Sequence, residues 1–254
     1  MRGFPVKDPY VRWTSAGCYG KPAGQDWYPR SESSLTEHKS DPVVVIGLGR
    51  FGTSLALELT RRGTEVLAID NRPKITQALA GRITQIATAD ATDIEALRQL
   101  GVADFYQAVV AIGGDIEASI LTTSLLVELE VNDIWAKAIS IQHGRILDRI
   151  GAHHVVFPEH DMGERVAHLV SGRMLDYMQV DENFALAKTQ PPKDYVGVPL
   201  GRSNLRRKYG VTIVAVKAPG EEFTYATADT ELSYGDVILV SGRTEAVERF
   251  AELP

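Results

Sequence analysis

Between Pro42 and Asp70 a strand, a glycine-rich turn, a helix and a second strand follow one another without a break, and few folds accommodate that order. Pro42-Val43-Val44-Val45-Ile46 is an apolar run of strand length. Gly47-Leu48-Gly49-Arg50-Phe51-Gly52 follows at once and matches G-x-G-x-x-G. Residues 53–62 read as a helix with Leu55, Ala56 and Leu59 on one face, and Gly63 ends it. Residues 65–69 read as a second strand, with the acidic Asp70 at its end. A glycine triplet alone is weak. One that leaves a strand, opens a helix and is followed by an acidic residue after the next strand is a nucleotide-binding fingerprint. Each residue then has a physical task. Gly47 permits the tight turn, Gly49 lets backbone approach a phosphate, and Gly52 lets the helix pack on the strand. Phosphate meets the positive end of the helix and its free N–H groups. Asp70 accepts hydrogen bonds from ribose hydroxyls. No Gly-Lys-Ser/Thr follows, so this is not a Walker-type loop.

The alternation continues. Strands are expected at 84–88, 108–112, 134–138 and 155–156, with helices at 73–81, 93–100, 119–129 and 142–150. Alternating strands and helices imply a parallel, doubly wound, Rossmann-like α/β sheet. Ligands of such sheets bind outside the carboxyl ends of the strands. Asp90-Ala91-Thr92 and Ala111-Ile112-Gly113 fall there. Asp90 either reaches the adenine or ribose or caps the helix before Ile94. Arg50, inside the glycine loop, either meets an additional phosphate charge or is a solvated surface arginine. With Gly47, Leu48, Gly49, Phe51, Gly52, Asp70, Asn71, Arg72 and Lys137, these residues form the candidate nucleotide set.

Residues 161–177 read as one long helix with Val166, Leu169, Val170 and Leu175 among its apolar positions. Beyond it, strands at 184–189, 211–217, 223–226 and 236–241 and a final helix at 244–250 make a small α+β domain. The expected organisation is a flexible leader over 1–40, a nucleotide-binding domain over 41–160, a connecting helix over 161–178 and a C-terminal domain over 179–254. The leader is rich in Gly, Pro, Ser and charge. It holds Cys18, the single cysteine, which rules out a disulfide within the chain and fits a reducing cytosol. A formal net charge of -6 argues against nucleic acid as a partner. No stretch approaches the ~20 apolar residues of a membrane span.

Five motifs in order carry a resemblance: Val45-Ile46-Gly47-Leu48-Gly49-Arg50-Phe51-Gly52, Glu65-Val66-Leu67-Ala68-Ile69-Asp70, Ala111-Ile112-Gly113, Ile134-Trp135-Ala136-Lys137-Ala138 and Pro158-Glu159-His160-Asp161-Met162-Gly163. Together with Leu205-Arg206-Arg207-Lys208-Tyr209-Gly210, they resemble the RCK regulatory proteins, the KtrA/TrkA subunits of potassium transport systems, and are most like KtrA. The likeness runs from about residue 41 to the end. It implies an RCK N-terminal domain that binds ATP or ADP, a crossover helix and an RCK C-terminal domain. It further implies no enzymatic activity, and homodimers assembling into an octameric ring on the inner face of the membrane beneath a channel subunit of the KtrB or TrkH kind. By resemblance, Arg50 reads the γ-phosphate, and Glu159 contributes to a Mg²⁺ or Ca²⁺ site at the dimer interface. Glu159 taken alone also suits the dipole of the helix it precedes. Some members bind cyclic di-AMP in the C-terminal domain through the arginine that maps to Arg206, although Thr212 stands where some of them have Asn. The rival readings are an NAD(P)-dependent oxidoreductase, which would take NAD(H), and a nucleotide-binding regulator of another cation transporter. The C-terminal unit has no histidine after His168 to serve as acid or base.

Overall fold

A computed structural model describes residues 41–171 and 174–254; the leader and Cys18 lie outside the described residues. Contacts divide the chain into two compact units, with the boundary between Glu159 and His160.

The first unit alternates β1 (Val43–Ile46), α1 (Arg50–Arg61), β2 (Val66–Asp70), α2 (Pro73–Leu79), β3 (Gln85–Thr88), α3 (Ile94–Gln99), β4 (Gln107–Val110), α4 (Ile116–Glu128), β5 (Asp133–Lys137), α5 (Ile141–Ile150) and β6 (His154–Val156). All the pairings are parallel and the strand order is β3-β2-β1-β4-β5-β6. β1 is buried along its whole length and its side chains alternate between two cores. Val43 and Val45 pack with Val66, Ala68, Leu79 and Ile83 on one face. Val44 and Ile46 pack with Ile69, Val110, Leu126, Ile134 and Leu147 on the other. The chain order reverses between β2 and β4, on either side of β1, and opens a crevice at the carboxyl ends of these strands. α1 begins at Arg50, three residues before the expected start, because the glycine loop itself supplies the first helical turn.

In the second unit, β7 (Asp176–Asp181), β8 (Phe184–Thr189), β9 (Val211–Lys217), β10 (Thr224–Tyr225) and β11 (Val237–Gly242) form an antiparallel sheet ordered β10-β9-β11-β8-β7. Two short helices, α7 (Leu200–Ser203) and α8 (Leu205–Tyr209), precede β9, and the last helix, α9 (Thr244–Ala251), places Val247 and Phe250 in the core.

The connecting helix corrects the sequence expectation at both ends. α6 runs from Pro158 to Ser171, not from 161 to 177. Proline is at ease at the first helical position, where its missing N–H is not needed. Beyond the helix, Asp176 and Tyr177 belong to β7, where Tyr177 pairs with Ala187 and is buried. Leu175 fits a helical spacing, but Tyr177 gains more by entering the core of the sheet beside Met174.

Candidate functional site

The glycine loop turns sharply between β1 and α1. Gly47 has φ +92°, a backbone region closed to most side chains. Its N–H donates to Ile69 O at 2.8 Å, while Ile46 O accepts from Ala111 N at 2.7 Å, so the turn is anchored to both neighbouring strands. A Cβ at Gly52 would overlap the carbonyl oxygen of Gly47 and come within 2.9 Å of Ala111 Cβ. This close approach presses α1 against the loop. Gly49 is different: a Cβ there would meet nothing within 4 Å. Gly49 lines the crevice, and α1 begins there with no acidic residue in its first turn. The Asp70 carboxylate takes the Leu48 amide just before the helix, but no acidic residue of the first turn offsets its positive end, which is suited to an anion.

A cavity of about 310 Å³ occupies the crevice, at the small end of the ~300–1,000 Å³ usual for small-molecule sites. Of the candidate residues, Gly47, Gly49, Asp70, Asn71, Arg72, Asp90, Ala91, Thr92, Ala111, Ile112 and Gly113 line it. Leu48, Arg50, Phe51, Gly52 and Lys137 are not on its wall. Leu48 acts through its amide, which donates to Asp70 Oδ2 at 2.7 Å. Asp115, Ala118 and Thr122 also line the cavity and were not expected from the sequence. Their signal was the Gly113-Gly114-Asp115 turn after β4, in which Asp115 caps α4 by accepting from Ala118 N.

Asp70 sits at the end of β2 and is only 4% exposed. Burial alone would push its carboxyl up, but the Arg72 guanidinium and the amides of Leu48 and Arg72 outweigh it and hold the group below the ordinary carboxylate range. Asp90 corrects one expectation. It does not cap α3; it accepts from Thr92 N at 2.9 Å and Thr92 Oγ1 at 2.7 Å, shaping the turn after β3. Asp93 is the cap, accepting from Glu95 N.

Lys137 ends β5, with its side chain 9% exposed. Its ammonium lies 2.6 Å from Glu159 Oε1 and 5.9 Å from the Phe51 ring centre, and borders Gly113 on the cavity wall. That hydrogen bond lowers the Glu159 pKa, burial opposes the effect, and the charge of Arg50 adds to it. Arg50 itself is exposed at the first position of α1. Among the described residues no cluster of three or more His, Cys, Asp or Glu could hold a metal ion. Arg206 belongs to the second unit, on α8, where its Nε donates to Thr212 Oγ1 at 3.1 Å. Among the described residues no helix is long and apolar enough to cross a membrane.

Residues 43–158 match the TrkA-N domain and residues 185–254 the TrkA-C domain. Ktr system potassium uptake protein C of Bacillus subtilis (strain 168) is 38% identical over 207 residues, covering 81% of this chain and 94% of that protein. Ktr system potassium uptake protein A of the same organism is 35% identical over 213 residues, covering 84% and 96%. Among solved structures, the GsuK RCK domain superposes with a TM-score of 0.60 at 19% identity, over 91% of this chain and 51% of that one. This chain therefore spans about half the length of that structure, and the likeness is one of fold.

Proposed function

The chain belongs to the TrkA-N/TrkA-C family of Ktr and Trk potassium uptake proteins, and on that premise we propose that it senses ATP and ADP to set the activity of a separate membrane potassium channel. It is a regulatory subunit, not an enzyme, in this reading. The observation that carries it is the crevice over β1 and β4, where Gly49, the start of α1 and the buried carboxylate of Asp70 meet at one cavity. Those are the three features that a phosphate and a ribose require.

Arg50, exposed at the mouth of α1 and electrostatically coupled to Glu159, reads the third phosphate in this proposal. Glu159 contributes one carboxylate to a divalent cation site, and a second copy of the chain supplies another. Hard oxygen ligands of this kind suit Mg²⁺ or Ca²⁺. Homodimers would assemble into a ring on the inner face of the membrane, where the channel lies. Arg206, fixed by Thr212, is the candidate contact for cyclic di-AMP.

The test is calorimetry with ATP, ADP and NADH, on the wild type and on Asp70→Ala, together with co-purification with the channel subunit. ATP and ADP are expected to bind ahead of NADH. Asp70→Ala is expected to lose about fivefold to more than a hundredfold in affinity for both, from a polar group left unmatched at ~1–3 kcal/mol. NADH preferred over ATP would favour an oxidoreductase instead. Unchanged binding by Asp70→Ala would remove Asp70 from the ribose.

A further inference from the structure

The carboxylate assigned to the ribose has no acceptor position left. An ionised carboxylate offers about four lone-pair sites. Asp70 Oδ2 accepts from Leu48 N at 2.7 Å and from Arg72 Nη2 at 2.8 Å. Asp70 Oδ1 accepts from Arg72 N at 2.9 Å and from Arg72 Nε at 2.9 Å. A ribose diol that bonds to Asp70 must therefore replace two of these four donors.

Only one pair of donors can move. Leu48 N is backbone of a buried residue in the glycine turn, and Arg72 N is backbone at the start of α2. The Arg72 side chain is 56% exposed, whereas that of Asp70 is 3% exposed. The guanidinium can swing into solvent on its own torsions, and its Nε and Nη2 leave as a pair. They occupy the positions that two vicinal hydroxyls would take.

We propose that Arg72 is an affinity-setting residue of the nucleotide site: its guanidinium imitates the ribose diol on Asp70 and must be expelled for a ribonucleotide to bind. The inference rests on the assignment of the cavity to a nucleotide. Arg72 keeps the buried carboxylate paired and lowers nucleotide affinity by competition within the chain. A ligand with both ribose hydroxyls expels both guanidinium bonds. A 2′-deoxy ligand has one hydroxyl to offer and leaves one of those bonds in place.

The experiment is calorimetry on the full chain with ATP and with 2′-deoxy-ATP, for wild type, Arg72→Ala and Arg72→Lys, after thermal melts have shown that the variants fold. Arg72→Ala is expected to bind ATP more tightly than wild type, by about two- to fivefold for a partly exposed ion pair. The gain for ATP should exceed the gain for 2′-deoxy-ATP. Arg72→Lys, which keeps the charge but lacks the fork, should fall between. ATP binding that is unchanged or weaker in Arg72→Ala would overturn the inference and show that the guanidinium is indifferent or assists the ligand. Equal tightening for both nucleotides would also overturn it, because the competition would not be with the diol. Failure of wild type and Arg72→Ala alike to bind ATP would overturn the nucleotide assignment itself, and this inference with it.

Discussion

Gly52→Ala and Gly49→Ala, three residues apart in one loop, should fail in opposite ways. At Gly52 the new methyl carbon overlaps Gly47 O and lies 2.9 Å from Ala111 Cβ, against ordinary carbon contacts of ~3.5–4.0 Å. Neither neighbour has a rotamer to change, so α1 itself must lift from β1. Overpacking of this kind costs ~1–3 kcal/mol, and rigid neighbours place it at the upper end. Alanine returns up to ~1 kcal/mol of helix propensity. A net loss of about 2 kcal/mol lowers the melting temperature by roughly 5–8 °C for a domain of this size. At Gly49 the methyl meets nothing, and φ is -69°, which any residue adopts. Alanine is a poorer helix cap than glycine, a cost of about 0.5–1 kcal/mol. Yet Gly49 lines the cavity, and a methyl there takes space that a phosphate approaching the loop amides would need. Losing one charge-assisted hydrogen bond, ~1.5–3 kcal/mol, weakens ATP about ten- to a hundredfold. Calorimetric unfolding and ATP titration on both variants decide the matter. A Gly52→Ala protein that melts with wild type would refute the packing argument. A Gly49→Ala protein that binds ATP normally would show that phosphate is not seated on this loop.

Arg50→Ala should weaken ATP more than ADP and remove ATP activation of ion flux, since a ligand shifts an equilibrium only through differential affinity; equal losses would reduce Arg50 to a support of the loop. Glu159→Gln should abolish the cation-dependent part of ATP activation and leave nucleotide binding without cation nearly intact; a full response to Mg²⁺ and Ca²⁺ would move the metal site elsewhere. The same variant has a pH signature. Because the folded Glu159 pKa is lowered, chiefly by Lys137, the ion pair stabilises the fold above the ordinary carboxylate range and is lost as pH falls through the lowered value. The melting difference between wild type and Glu159→Gln should thus be present at pH 7 and fade in acid, whereas a difference growing in acid would contradict the sign. Arg206→Ala should weaken cyclic di-AMP binding measured by calorimetry, and identical titrations of variant and wild type would take Arg206 out of that role.

The parts of the fold legible in the sequence were those set by local rules. β8 falls on its expected bounds because Pro191-Pro192 closes it, and β9 because its β-branched run ends at the Pro219-Gly220 turn. The glycine loop was legible because one order of strand, loop, helix and acid accounts for it. β7 was not legible, since Leu175 continues a helical spacing and only the pairing of Tyr177 with Ala187, a partner beyond a turn, makes it a strand. Within the site, Asp70 could be named from its place at the end of β2, but its occupation by Arg72 depends on a side-chain rotamer. Lys137 and Glu159 meet because β5 and β6 are neighbours in the sheet, pairing Lys137 with Val156. Nothing in the spacing of those two residues announces the contact.

The position of β1 in the sheet has a consequence for synthesis. β1 pairs with β2 on one side, Val43 opposite Val66, and with β4 on the other, Val43 opposite Gln107. A chain emerging from the ribosome offers β2 early and β4 only after two further helices. Until then one edge of the most apolar strand carries bare N–H and C=O groups, a template for pairing with another chain. The turn at Gly47 is also incomplete in that interval, because Ile46 O waits for Ala111 N. The loop that would cradle phosphate is translated before β4 and sets only after it. A fragment cut before β4 would expose that edge permanently and should precipitate where the full chain does not.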